Sequence, residues 1–272
     1  MKTIKLFSIL AALVVTALAS VAFINSRLSK KTGGDTKGFA VVELYTSEGC
    51  SSCPPADDLV AKIQKEYDGK PVYILAFHVD YWDAMGWKDA FSSADYTKRQ
   101  KEYASSLKVQ SGIYTPQIVV NGKTEFVGSQ EASLRSAIST NLDQTPATWL
   151  TLNVAGVTAN SATVKYSIDG DDKKTVLLLA LVQKWAKTKV ERGENGGHTL
   201  SHIQIVRKLQ SVSIKEKEKT GTATIELPAG FAPQGWEVIG FLQSKKNGSV
   251  TAAAKAEFAA QADAAAMPKG SN

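Results

Sequence analysis

Two cysteines stand three positions apart in Gly49-Cys50-Ser51-Ser52-Cys53-Pro54-Pro55, and the 272-residue chain has no others. At this spacing a pair can staple a turn, supply half of a metal site, or exchange electrons with other thiols. A bridge closing so short a loop removes little chain entropy, about 2 kcal/mol. A chain with one bridge to make gains more by spanning distant segments. A zinc site needs two further ligands. There is no second cysteine pair, although His198 and His202 have the spacing of a ligand pair. Redox exchange needs a thiolate, and a cysteine at a helix start faces free backbone N–H groups and the positive end of the helix dipole. Pro54 and Pro55 mark such a start, because proline is tolerated in a first turn. On this reading Cys50 is the exposed nucleophile, and the less exposed Cys53 resolves the mixed disulfide. The hydroxyls of Ser51 and Ser52 can donate to the thiolate.

Other residues can assist. Glu43 lies in an apolar stretch leading to the cysteines, where a buried carboxylate would take the proton of Cys53; the plainer alternative is a solvent-facing or structural carboxylate. His78, Asp80 and Asp83 follow a second apolar run. In an open parallel sheet they would share an edge with Cys50. His78 or Asp80 would then serve as a proton shuttle, and Cys50, Cys53 and His78 together would suit copper or zinc. The plainer reading is a network that anchors a loop. Trp82 and Trp87 would line a groove for an extended substrate, or simply pack a long connection.

The pattern around these residues predicts the elements that hold them. Phe39–Tyr45 is an apolar strand. A helix follows from Pro54, with Leu59, Ile63 and Tyr67 along one face. Val72–Val79 is the continuous apolar run of a strand buried on both faces. Ser92 or Ser93 caps a helix running to Leu107. "YTPQIVVNGKTEFVG" is a hairpin turning at Asn121-Gly122. Ser129 caps a last helix with Leu134, Ala137 and Ile138 inward. The order is βαβαββα.

That order, the CxxC at the mouth of the first helix and Thr115-Pro116 at the hairpin resemble the thioredoxin superfamily, and "ELYTSEGCSSCPPAD" resembles its glutaredoxin-type segments. With "AFHVDYWD", "GWKD" and "GENGGHTL", the chain is similar over about residues 39–260 to a family of secreted bacterial thioredoxin-like proteins of unknown function. The resemblance implies an α/β thioredoxin-like domain. It also implies a cis bond before Pro116, a Thr115 backbone presented to substrate, and a redox-active Cys50–Cys53 disulfide with no bound cofactor. Gly49 stands where thioredoxins carry tryptophan, and Ser51-Ser52 replaces their Gly-Pro, so oxidase, reductase and isomerase remain open.

After Asp143–Ala147 the texture changes. Seven short alternating runs between Leu150 and Ala254, separated by Gly, Asn, Asp and Pro, predict an all-β sandwich-like domain. "ERGENGGHTLSH", with Glu194, His198 and His202, is a polar Gly-rich loop that would cover the cysteines, dock a partner, or only connect strands.

Residues 1–24 read as a signal peptide or an uncleaved N-terminal anchor: Lys2 and Lys5 precede an apolar run from Leu6 to Ile24. The expected divisions are thus a leader over 1–24, a linker over 25–38, the thioredoxin-like domain over 39–143, the β-sandwich-like domain over 148–258 and a disordered tail over 259–272. A leader implies a periplasmic or secreted protein, where disulfides persist. The formal charge of +6 is mild and no basic stripe carries interleaved aromatics, which argues against a nucleic-acid partner. The expected function is an extracytoplasmic thiol–disulfide oxidoreductase acting on protein thiols or disulfides with a separate redox partner. The alternative is a metal-binding protein using the same cysteines.

Overall fold

Ala40–Thr46, seven residues without an exposed side chain, form β1 at the heart of the sheet. The computed structural model describes residues 37–171, 173–214 and 218–259. The leader expected over 1–24 lies outside these residues, as do the expected linker and tail apart from 37–38 and 259.

From β1 the chain turns through the cysteine loop into α1 (Pro54–Glu66) and returns as β2 (Val72–His78), parallel to β1. A short 3-10 turn (Asp83–Met85) precedes α2 (Ala94–Ser106), whose first turn is capped by Ser93 Oγ accepting from Asp95 N–H at 3.2 Å. β3 (Gln117–Val120) and β4 (Thr124–Val127) form a hairpin, with Asn121 and Gly122 at φ +49° and +61°. α3 (Glu131–Leu142) follows. Its capping residue is Gln130, not Ser129, whose carbonyl accepts the Glu131 N–H instead.

The regular elements that follow in the described chain are strands, β5 (Thr148–Val157), β6 (Ser161–Gly170), β7 (Thr175–Lys189), β8 (Thr199–Val212), β9 (Thr220–Glu226), β10 (Trp236–Ser244) and β11 (Val250–Glu257), with one short 3-10 turn (Pro233–Gly235) before β10. The expected boundary between residues 143 and 148 does not divide the structure. The strands form an eight-stranded sheet in the order β11-β10-β7-β8-β2-β1-β3-β4, and a three-stranded sheet β5-β6-β9. β8 runs parallel to β2 with Ala76 opposite Ile205. The physical reason is an edge: without β8, the apolar β2 would present unpaired N–H and C=O groups to solvent. The described residues accordingly group as one compact unit.

Three apolar clusters fill the layers. α1 and α3 cover one face of β1, β2 and β3 through Leu59, Ile63, Leu134 and Ile138. On that same sheet, β5-β6-β9 packs against β7, β10 and β11 through Val164, Ile225, Leu179 and Val238. α2 lies on the opposite face and spans the join: Tyr96 and Tyr103 pack with Phe77 of β2 and with Ala180, Val206 and Phe241 of the later strands. The Tyr96 hydroxyl donates to the Val206 carbonyl at 2.9 Å.

Candidate functional site

Cys50 and Cys53 are joined by a disulfide, their Cα atoms 5.4 Å apart. Cys53 is the N-cap of α1. The local backbone departs from expectation in one respect: the helix start offers no free N–H. Pro54 and Pro55 have none to give. The Cys53 N–H donates to Cys50 O at 3.2 Å, while the Ala56 and Asp57 N–H groups return to Cys53 O at 2.9 and 3.1 Å. Electrostatic support for a thiolate therefore comes from the helix dipole and from Ser52, whose Oγ lies 3.4 Å from Cys50 Sγ.

A second departure concerns access. Cys50 is as fully buried as Cys53, both at 0% exposure, whereas the sequence suggests an exposed Cys50. Two long-range contacts account for it. The β7–β8 loop lays Asn195 on the cysteine loop, its amide donating to Glu48 O at 2.9 Å and Cys50 O at 3.0 Å. Glu194 accepts from Ser51 N–H at 3.0 Å. From the other direction Trp82 packs so close to Gly49 that a Cβ there would lie 3.2 Å from the Trp82 Cβ, and its indole N–H donates to Thr115 Oγ1 at 2.8 Å.

Beneath the cysteines sits a buried group of titratable side chains. Glu48 precedes the pair, Asp57 lies one turn into α1, His78 ends β2, Asp89 follows in the loop, and His202 comes from β8. His78 Nδ1 is 2.6 Å from Asp89 Oδ2, which also accepts the Glu48 N–H at 2.9 Å. Trp87 Nε1 donates to Glu48 Oε2 at 2.7 Å. The His78 and His202 rings meet edge-on with centroids 4.9 Å apart. His202 Nε2 and Glu48 Oε1 stand 3.3 Å apart without the alignment of a hydrogen bond. Burial alone would raise the Asp89 carboxyl, but the His78 ring and its hydrogen bond hold it below the usual range.

Asp57 is the group poised near neutrality. Burial pushes its carboxyl up to about 7, against the pull of His202 and of the Thr46 hydroxyl, which donates to it at 3.0 Å. Asp57 lies four residues after Cys53, so both face the same side of α1. The native state binds this proton more tightly than an unfolded chain, whose aspartate titrates near 3.9. Stability should therefore fall as pH rises from about 4 to about 7, with the loss complete above. Asp57→Asn should remove that slope and be more stable than the parent at pH 8 by on the order of 2–4 kcal/mol. Urea midpoints at pH 5 and pH 8 test this, and an unchanged slope in the variant would refute it.

The remaining expected site residues separate into two groups. The Thr115-Pro116 bond is cis. A Cβ on Gly128 would lie 2.9 Å from Pro116 Cβ and 3.0 Å from Ala56 Cβ, so Gly128 lies between the proline loop and the first turn of α1 and brings them close. Glu43 is elsewhere. Alternation along β1 puts it on the α2 face, away from α1, where Arg99 grips it through Nε at 2.7 Å and Nη2 at 2.9 Å. Glu43, expected as proton acceptor for Cys53, is thus held in an ion pair on the other face, while Asp57 follows Cys53 by one turn of α1. Asp80 bonds Thr97, and Asp83 accepts from Ser92 Oγ and Asp89 N–H, so both anchor the loop. In this disulfide form the sulfurs are bonded to each other and His78 Nδ1 lies 2.6 Å from Asp89 Oδ2, so the alternative ligand set Cys50, Cys53 and His78 is not assembled. Among the described residues no group of three or more His, Cys, Asp and Glu has the geometry to hold a metal ion. His198 is exposed on the loop while His202 is buried, so that pair is split as well.

A family model described as protein of unknown function (DUF1223) matches residues 41–243. The chain belongs to the DUF1223 family. The matched DUF1223 span runs from β1 into β10, so it contains the cysteines, the cis-proline loop, the buried titratable group and the covering β7–β8 loop. No curated protein matches the chain. Among solved structures, it is similar to protein AGR_C_4864 from Agrobacterium tumefaciens, with 25% identity and a TM-score of 0.61 over 79% of this chain and 92% of that one. A domain of the outer membrane lipoprotein Omp28 from Porphyromonas gingivalis also aligns, at 9% identity and a TM-score of 0.27 over 43% of this chain and 93% of that one. That last likeness is too slight to argue from.

Sequence reasoning missed Asp57, Glu48, Asp89 and Asn195. The Cys53–Asp57 spacing is the one signal that was there to use, because a carboxylate four residues into the helix shares the cysteine's face. Nothing local ties Asn195 to residues some 145 positions earlier.

Proposed function

We propose that this DUF1223 protein is a thiol–disulfide oxidoreductase that exchanges its Cys50–Cys53 bridge with protein thiols outside the cytoplasm. The observation that carries the reading is the bridge itself, set at the start of α1 between the cis-Pro116 loop and a buried acid that titrates near neutrality. The βαβαββα order of residues 40–142 supports a thioredoxin-like reading of the first half, with the sandwich-like strands built onto its sheet. The extracytoplasmic setting rests on the leader pattern of residues 1–24 and on the persistence of disulfides there.

The chemistry follows from position. A client thiolate attacks Cys50 Sγ, forming a client–Cys50 disulfide as Cys53 leaves with the bridge electrons. Asp57, protonated near pH 7, gives its proton to the departing sulfur. A second client thiolate then attacks the client sulfur of the mixed disulfide and releases Cys50, whose thiolate the helix dipole and the Ser52 hydroxyl favour. The two client sulfurs end as a disulfide, and the enzyme pair is reduced by two electrons. Run backwards, with Asp57 taking the proton, the same steps reduce a client.

The test mixes the oxidised protein with a reduced, unfolded cysteine-containing protein at pH 7.5. One client disulfide should appear for each Cys50–Cys53 bridge lost. A bridge that dithiothreitol reduces but client thiols leave intact for hours would sink the proposal.

A further inference from the structure

The cover over the bridge is an ordered device. The β7–β8 loop closes on itself, with Val190 N–H donating to His198 O at 2.9 Å and Gly197 N–H to Val190 O at 2.8 Å. Gly193 and Gly197 take φ of +78° and +88°, which only glycine adopts without strain. Gly193 comes down on the Trp87 side chain, 3.3 Å from where its Cβ would be. Asn195 is buried in the process, at 7% exposure, and satisfies two carbonyls of the cysteine loop while Glu194 satisfies the Ser51 N–H. The satisfied atoms are main-chain groups beside Cys50. They are the two ends of the Cys50–Ser51 peptide unit and point to opposite sides of the chain, so both are met only by a polypeptide that wraps the cysteine loop with its side chains, as residues 194 and 195 do. A small thiol has no such groups in register.

We propose that residues 190–198 are a gate, held shut by Glu194 and Asn195, that keeps small thiols from the Cys50–Cys53 bridge and yields to a polypeptide able to take over its hydrogen bonds with Cys50 O and Ser51 N–H. The proposal rests on the oxidoreductase reading and names what that site selects: cysteine-bearing chains over low-molecular-weight thiols. It also gives the later strands a direct part in the site, because β7 and β8 carry the gate.

The test uses the oxidised full-length protein. Each hydrogen bond lost shifts an opening equilibrium by a factor of roughly 2–10, so Glu194→Ala/Asn195→Ala should be reduced by dithiothreitol at least about tenfold faster than the parent. A rate within about twofold of the parent would overturn the gate. With a reduced, unfolded protein as attacker, the gain should be markedly smaller, since such a client displaces the gate itself; an equal gain would overturn the selectivity. Should the double variant fail to fold, hydrogen exchange of the parent decides. The Ser51 amide, on an exposed residue, should exchange at least about tenfold slower than an unprotected amide, and unprotected exchange would refute the gate. The dithiothreitol and exchange measurements involve no protein client, so their outcome is independent of whether disulfide transfer to proteins occurs.

Discussion

Cys50→Ser is expected to abolish disulfide transfer to protein thiols, a fall of at least about a thousandfold, with the fold intact. The bridge closes a loop of four residues, so losing it costs only about 2 kcal/mol by the chain-entropy estimate. The core clusters around α1 do not depend on it. Cys53→Ser should also lose turnover, but it keeps the sulfur at position 50 and with it the capacity to form a mixed disulfide. The two variants thus separate the attacked sulfur from the resolving one. Both are read by the transfer assay, with far- and near-UV circular dichroism as the control for folding. Equal, parent-like transfer by Cys50→Ser would place the chemistry elsewhere.

The second large effect is structural. Arg99→Ala should destabilise the protein by about 3–5 kcal/mol, the typical result of leaving a buried charge without its partner. Glu43 is fully buried, and Arg99 meets it with two nitrogens while bonding Gln243 Oε1 at 3.0 Å and the Tyr103 hydroxyl at 2.9 Å. Burial would lower the Arg99 pKa, but the Glu43 charge holds it well above its usual value. The network ties β1 through α2 to β10, so its loss loosens the two halves from each other. Glu43→Leu/Arg99→Met should recover most of the stability, because an apolar pair replaces both charges. Urea unfolding of the single and double variants measures this. Disulfide transfer per folded molecule should stay within about twofold of the parent in the double variant. A selective loss of transfer with stability retained would restore Glu43 to the catalytic part that its place on the α2 face denies it.

What could be read from the chain was local. Leu59 and Ile63 announce α1 by their spacing, Val72–Val79 announces β2 by its unbroken apolarity, and Asn121-Gly122 announces its turn by tolerating positive φ. What could not be read was partnership across distance. β8 has the alternation of any strand, and nothing in it says that Ile205 will lie beside Ala76 of β2. Glu43 in an apolar strand signals burial, but the partner that makes burial tolerable stands 56 residues on, in a helix with its own periodicity. Cys50 reads as exposed, although the loop carrying Glu194 is one candidate cover; the sequence leaves open whether that loop covers, docks or only connects, and Glu194 and Asn195 in fact meet Ser51 and Cys50. His202 shows an intermediate case. Its alternation with Ile203 and Ile205 in β8 would point it outward, and it is buried because Glu48 and His78 meet it from other segments.

The most direct measurement is the intact mass of Cys53→Ser, produced from the whole 272-residue sequence in a bacterial host and trapped with acid before purification. Added mass carried at Cys50 as a mixed disulfide with cellular proteins, and released by reductant, is the expected result. Recovery of the variant with Cys50 as free thiol alone would contradict thiol–disulfide exchange as its chemistry.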